Sequence, residues 1–193
     1  IKLKNDMIGG PLSAIKELEK NPFIDKVMPD TKLSRRNIPD DTQFNQQWAL
    51  QNTGQSGGTI DADIDAPEAW DLSTGGVTPL GDTIVVAIVD GGMLLTHADL
   101  IPNLWTNWGE IPGNGIDDDN NGYIDDIHGW NAYSSNGSIP SDGHGTHVAG
   151  IVGAKGNNGN YVSGVNWDVK LMALGGSSGT TSIVLEAYGY ILD

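Results

Sequence analysis

Asp90 and His144 are the residues of this chain whose types and surroundings best fit acid–base chemistry. Asp90 ends the run Ile84–Val89, six apolar residues of which five are β-branched, and Gly91-Gly92 follow it. His144 stands in Gly143-His144-Gly145-Thr146-His147-Val148-Ala149-Gly150. An imidazole titrates near neutral pH and can take and return a proton. It does so from a fixed tautomer when a carboxylate accepts a hydrogen bond from its other ring nitrogen. A lone histidine is more often a structural residue. A strand-end carboxylate able to orient it shifts the reading towards catalysis.

The elements that must position this pair are legible from pattern. The run 84–89 is too short for a typical helix and too uniformly apolar for a half-exposed strand, so it reads as a strand buried on both faces of a parallel sheet. Asp90 then lies at the carboxyl end of a central parallel strand, where open α/β sheets place their sites. The glycines after it permit a sharp turn. Residues 144–154 read as a helix that starts at His144. Gly145, Gly150 and Gly153 cost such a helix about 1 kcal/mol each, which makes sense if it packs closely on the sheet. The fold class expected is α/β, a mainly parallel sheet with helices on both faces, preceded by a small α+β segment.

Gly143 to Gly150, with the strand ending at Asp90-Gly91-Gly92, resembles the subtilisin-like serine proteases. Their motifs are a strand ending in Asp-Ser/Thr-Gly and a helix opening with His-Gly-Thr-His-Val-Ala-Gly. Two positions depart from the pattern: Gly91 replaces the usual Ser or Thr, and Ala98 replaces the Pro usual before Asp99-Leu100. Flanking segments extend the likeness over residues 38–193: Gln47–Gln55, Ile64–Trp70, Val162–Val165 and Val169–Leu174. The resemblance implies that Asp90 orients His144 and that His144 is the general base and acid of an Asp-His-Ser triad. It also implies that Ser177-Ser178-Gly179 lies along an extended peptide substrate and pairs with it through the backbone. The family's nucleophile motif, Gly-Thr-Ser-Met-Ala, and its oxyanion Asn are not found in these residues. Gly179-Thr180-Thr181-Ser182 is a superficial match in the wrong place. It opens a helix pattern running to Leu192, and Thr181 or Ser182 reads as its N-cap. The chain is therefore expected to be a precursor fragment of a longer endopeptidase, inactive alone. A companion fragment carrying the carboxyl-terminal part, or self-association, would cover the exposed sheet edge. The alternative is a non-catalytic calcium-binding or interaction module on the same fold.

Asp90 and His144 are 54 positions apart, and much of that interval is an acidic insertion, Gly113–Asp126. From Asp117 it follows an Asp-x-Asp-x-Asn-Gly spacing, the design of a calcium loop, with five acids in ten residues. Asp117, Asp119, Asn121 and Asp125 would supply side-chain oxygens, Tyr123 a carbonyl, and Asp126 a further carboxylate. Gly122 allows the turn. His128 stands where an EF-hand has its bidentate Glu, and no flanking helices are apparent, so this is not an EF-hand. A second calcium site is implied by the resemblance alone: Asp41, Asp99 and Asn158, with carbonyls near Asn160 and Val162.

The 193 residues suffice for one domain with a sizeable core. The net charge of −15 disfavours nucleic acid and anionic membranes and suits cation binding. No apolar stretch approaches the ~18 residues of a membrane span, and no signal peptide is visible. The absence of cysteine excludes a disulfide framework. Eight of the ten basic residues fall within residues 1–36. There Leu12–Lys20 reads as a helix, Phe23–Met28 as a strand and Thr31–Asp40 as a polar linker. Residues 1–36 resemble the end of the family's inhibitory propeptide, and 37–193 the amino-terminal part of the peptidase domain. The partners expected are a polypeptide substrate and the protein's own propeptide, with no nucleic acid and no membrane insertion. The resemblance places the parent protein in the secreted or cell-envelope class.

Overall fold

The β-branched run before Asp90 forms β1, Val85–Asp90. It pairs in parallel with β3, Lys170–Gly175, in a register that sets Val85 against Lys170 and Asp90 against Gly175. The short strand β2, Gly129–Asn131, pairs in parallel with the other side of β3. The strand order β1-β3-β2 makes β3 the central strand. This computed structural model describes residues 15–24, 26–27 and 37–192. The chain divides into two compact units, Ile1–Arg35 and Arg36–Asp193.

Strand alternation assigns the two faces of the sheet. Val86 and Ile88 of β1, with Leu171 and Ala173 of β3, pack in one cluster with Ala149 and Val152 of helix α2, Gly143–Gly153. Ala87 and Val89, with Met172 and Leu174, join the opposite cluster with Ala187 and Ile183 of helix α3, Thr181–Leu192. The sheet therefore carries a helix on each face, the α/β arrangement. Parity also fixes the aim of the strand-end acid. Asp90 shares the phase of Val86 and Ile88 and so faces α2. A third cluster joins helix α1, Ala66–Trp70, to the rest: Trp70 packs on Trp167 at 4.6 Å between ring centroids and on Phe44 at 5.8 Å.

Four expectations require correction. β1 packs on both faces, but it is an edge strand of the described sheet, so only Ile88 is fully buried and Val85 remains exposed. Helix α3 begins at Thr181, one residue earlier than a Thr181 or Ser182 cap allows; the Ile183 and Val184 N–H groups bond back to the Thr180 carbonyl. Of the strand expected at Phe23–Met28, the described residues form none. A turn closes there, with Ile24 N–H donating to the Asn21 carbonyl, and Phe23 is 95% exposed. That backbone has no ladder to join among the described residues. Residues 15–18 are helical and Lys20 pairs with Glu17 on an exposed surface. The expected Leu12–Lys20 helix ends early, residues 19–20 forming a turn, while its residues 12–14 and residues 31–36 of the linker lie outside the described residues.

Candidate active site and cation sites

Helix α2 starts where Asp142, in an extended conformation, caps it: the Asp142 Oδ1 accepts from Gly145 N–H at 2.8 Å. Its first turn lies against the end of β1. A Cβ at Gly145 would fall 2.0 Å from the Gly92 carbonyl oxygen and 2.9 Å from the Asp90 Cβ, so only glycine permits this approach. Gly153 serves the same purpose at the other end, where a Cβ would meet Val169 and Leu171 side chains at 2.9 and 3.0 Å. Gly150 has nothing within 4 Å, and close packing does not explain it.

This docking brings Asp90 and His144 together. The Asp90 Oδ2 lies 2.8 Å from the His144 Nδ1, while the Asp90 Oδ1 accepts from Gly91 N–H at 2.7 Å. The carboxylate is 14% exposed and the imidazole 77%. One side of the ring is thus held by a shielded acid, and its other nitrogen lies on the exposed side chain. An Nδ1–H donated to Asp90 leaves Nε2 its lone pair, the state a general base needs.

Ser177, Ser178 and Gly179 leave β3 directly beside this pair and are exposed. The backbone N–H groups of Gly176 and Ser177 both reach the Asp90 carbonyl, at 2.9 and 3.2 Å. The Ser178 hydroxyl lies 3.1 Å from the Tyr133 hydroxyl, and Ser178 N–H donates to that same oxygen at 3.3 Å. Burial raises the Tyr133 phenol, but the hydrogen bonds from Ser178 and Ser177 outweigh it and leave the pKa lowered.

The acidic insertion gathers part of its expected ligand set. Asp117 and Asp119 each bring a carboxylate oxygen into a group completed by Glu110, all within 4.8 Å of one another. Glu110 was not among the sequence candidates. It precedes the repeating spacing, and its only sequence signal is an acid in a Gly- and Pro-flanked loop. Burial of Glu110 and its bonds from Asp118, Asp119 and Asp125 N–H groups fix it beneath the loop. Asn121 lies beside this group, its amide donating to Asp119 and to Asp126. Asp125 is turned away: its carboxylate accepts from the N–H groups of Gly113, Asn114 and Gly115. Its backbone is left-handed, with φ 53°. Asp126 is fully buried and accepts from Asn107, Asn121 and the Tyr190 hydroxyl. Tyr123 contributes a ring to the aromatic group with Trp130 and Tyr190.

The second set converges on the loop after α2. Asp41 is buried and accepts from Asn157 and Asn158 N–H groups and from the Ser163 hydroxyl, whereas the adjacent Asp40 is exposed. Asp99 is fully buried, with Oδ2 accepting from Val162 N–H at 3.1 Å and Oδ1 lacking any partner. The Asn160 carbonyl accepts from Thr42 N–H at 2.8 Å. A buried carboxylate oxygen without a donor is what a cation would satisfy, and the all-oxygen donor set at both places suits calcium.

With this geometry stand the relationships of the sequence. Residues 81–193 match the subtilase family of peptidases, and the chain belongs to that family. It is 33% identical over 183 residues to an extracellular protease of Xanthomonas campestris, across 90% of this chain and 29% of that protein. It is 45% identical over 93 residues to subtilisin-like protease 1 of Plasmodium berghei, across 47% of this chain and 16% of that protein. A solved protease structure from Pseudoalteromonas arctica superposes with a TM-score of 0.47 at 28% identity, covering 77% of this chain and 42% of that one. The chain spans less than a third of the length of the two curated relatives.

Proposed function

We propose that these residues form the acid–base half of a calcium-stabilised, secreted serine endopeptidase. The observation that carries this reading is the 2.8 Å contact between Asp90 and His144 at the junction of β1 and α2. Asp90 holds the Nδ1–H tautomer, so His144 Nε2 accepts the proton of an attacking serine hydroxyl and returns it to the leaving amine. Asp90 stabilises the imidazolium in between. The serine comes from outside these 193 residues, whose hydroxyls offer no nucleophile motif. The exposed segment Ser177–Gly179 pairs with an extended stretch of polypeptide substrate.

The Asp117 loop, with Glu110, and the Asp41–Asp99–Asn158 group hold calcium, which supplies positive charge to carboxylates otherwise crowded together. The basic amino-terminal unit acts as a propeptide, a reading supported by its charge contrast with the acidic remainder. Secretion is supported by the extracellular protease relative. Among the described residues no helix is long and apolar enough to cross a membrane. The test is labelling of the complete protein with a fluorophosphonate. Labelling that requires His144 and is weakened by Asp90→Asn is expected. A complete protein that never labels and cleaves no polypeptide leaves the non-catalytic calcium module as the reading.

A further inference from the structure

Asp142 does more than capping requires. Its carboxylate stands with Asp90 and His144 in a group whose three ligand atoms all lie within 4.8 Å of one another. Both carboxylates are anchored through one oxygen to backbone, Asp90 Oδ1 on Gly91 N–H and Asp142 Oδ1 on Gly145 N–H. Asp90 Oδ2 meets His144 Nδ1. Position 91 is glycine, and a Cβ there would fall 2.8 Å from the Asp142 Cγ and 2.9 Å from its Oδ2. The residue that departs from the resembled motif is therefore the one that makes room for the second carboxylate.

We propose that Asp90, Asp142 and His144 form a site for a zinc-class divalent ion that switches off the base. The binding stands on the cluster itself; the switching-off rests on the reading of His144 as that base. One imidazole and two carboxylates suit zinc, whereas the oxygen-only groups at Asp117 and Asp99 suit calcium. The two ions thus sort to different places. Zinc holds such ligands at about 2.0–2.2 Å, which sets them roughly 3.3–3.5 Å from one another in a tetrahedron, so the 2.8 Å Asp90–His144 pair must open slightly while Asp142 closes on it. The imidazole, 77% exposed, supplies that movement and admits the ion from solvent. Three protein ligands leave the fourth position to water. Zinc takes the Nδ1 lone pair, so the ring proton moves to Nε2 and the neutral ring releases none. An Nε2–H cannot accept a proton from a serine.

The experiment uses the 193-residue protein saturated with calcium, titrated with zinc chloride by calorimetry and by nitrogen-15 NMR of the histidine rings. One zinc is expected, with His144 Nδ1 metal-bound and Nε2 protonated, and with the His97, His128 and His147 rings unmoved. Asp142→Asn keeps the cap, since Asn caps as well as Asp, and should weaken zinc by about tenfold or more at unchanged melting temperature. Gly91→Ser should displace the Asp142 carboxylate and weaken zinc likewise. Undiminished zinc affinity in both variants, ligation at another histidine, or no uptake at millimolar zinc overturns the site. If zinc binds as stated and the complete protein cleaves no polypeptide, only the endopeptidase reading fails. If the complete protein cleaves polypeptide and zinc at these concentrations leaves its rate unchanged, the switch fails.

Discussion

The buried Asp126 carboxylate accepts a 2.7 Å hydrogen bond from the Tyr190 hydroxyl, tying the acidic insertion to the core side of α3 across 64 positions of sequence. Burial, and then Asp126, push the Tyr190 phenol well above its ordinary value, so it acts as a donor at all working pH. Tyr190→Phe keeps the ring stacked beside Trp130 and removes only that donor. A hydrogen bond to a buried charge contributes about 1.5–3 kcal/mol, and Asn107 and Asn121 remain to share the load. Urea unfolding should show a loss of about 1–3 kcal/mol. A change under about 0.5 kcal/mol would mean that Asp126 finds water instead.

Gly145 and Gly150 should respond to alanine in opposite directions. At Gly145 the new methyl meets the Gly92 carbonyl at 2.0 Å, which forces α2 away from β1. The cost should be about 1–3 kcal/mol or more, with the Asp90–His144 contact lengthened. Gly150→Ala meets nothing and should gain up to about 1 kcal/mol of helix propensity. Equal effects in thermal unfolding would show that the glycines act through the helix alone.

That contrast shows how far the sequence was legible. Glycine in α2 announced close packing, correctly at Gly145 and Gly153, but a one-dimensional pattern cannot say which face of a helix Gly150 occupies. The β-branched run before Asp90 was legible as a strand because parallel pairing buries it on both faces. Its edge position was not, because strand order is set by the crossover that carries Lys170–Gly175 between β1 and β2. The alternating acids of the insertion pointed to Asp117 and Asp119. Glu110 escaped because its approach is tertiary, and the bonds of Asp125 to the Gly113, Asn114 and Gly115 N–H groups are equally invisible in a one-dimensional spacing.

Acid should weaken the link between Lys155 and Asp168. Burial raises the Asp168 carboxyl, but the Lys155 ammonium and the Thr74 hydroxyl bonded to it prevail and leave its pKa below the ordinary carboxylate value. A depressed carboxyl contributes stability that is present above its unfolded value and lost as pH falls through the folded one. Lys155→Met should therefore lower the melting temperature at pH above about 4. The gap from the parent protein should narrow as pH drops below that value. A gap constant from neutral to strongly acid pH would assign the effect to packing of the lysine stem.

Calcium removal should destabilise the protein through two separable sites. An ion present at 100 times its dissociation constant contributes about 2.7 kcal/mol, so a chelator should lower the melting temperature by several degrees. Asp117→Asn or Glu110→Gln should abolish one calorimetric binding event and leave the other. Asp99→Asn should do the reverse, and should raise stability in chelator, because it removes a buried charge with an unpartnered oxygen. An unchanged melting temperature in chelator, with no heat at millimolar calcium, would remove calcium from both places.

The 193-residue polypeptide should hydrolyse no unstructured protein, even with calcium. A base needs its hydroxyl within about 2.6–3.2 Å, or somewhat looser without substrate. Ser182 sits in the first turn of α3, and its hydroxyl pairs with that of Thr180 at 2.8 Å. Ser178 is engaged with Tyr133, and Ser177 offers its N–H to the Asp90 carbonyl. Among the described hydrogen bonds His144 takes only Asp90 through its ring. Mass spectrometry after prolonged incubation should find residues 1–40 still attached, and a quenched fluorescent casein should stay dark. Cleavage that disappears in Ser182→Ala would make that serine the nucleophile and require α3 to unwind towards His144. Cleavage that persists in Ser182→Ala and disappears in Ser177→Ala would move the nucleophile to the segment read here as the substrate's partner.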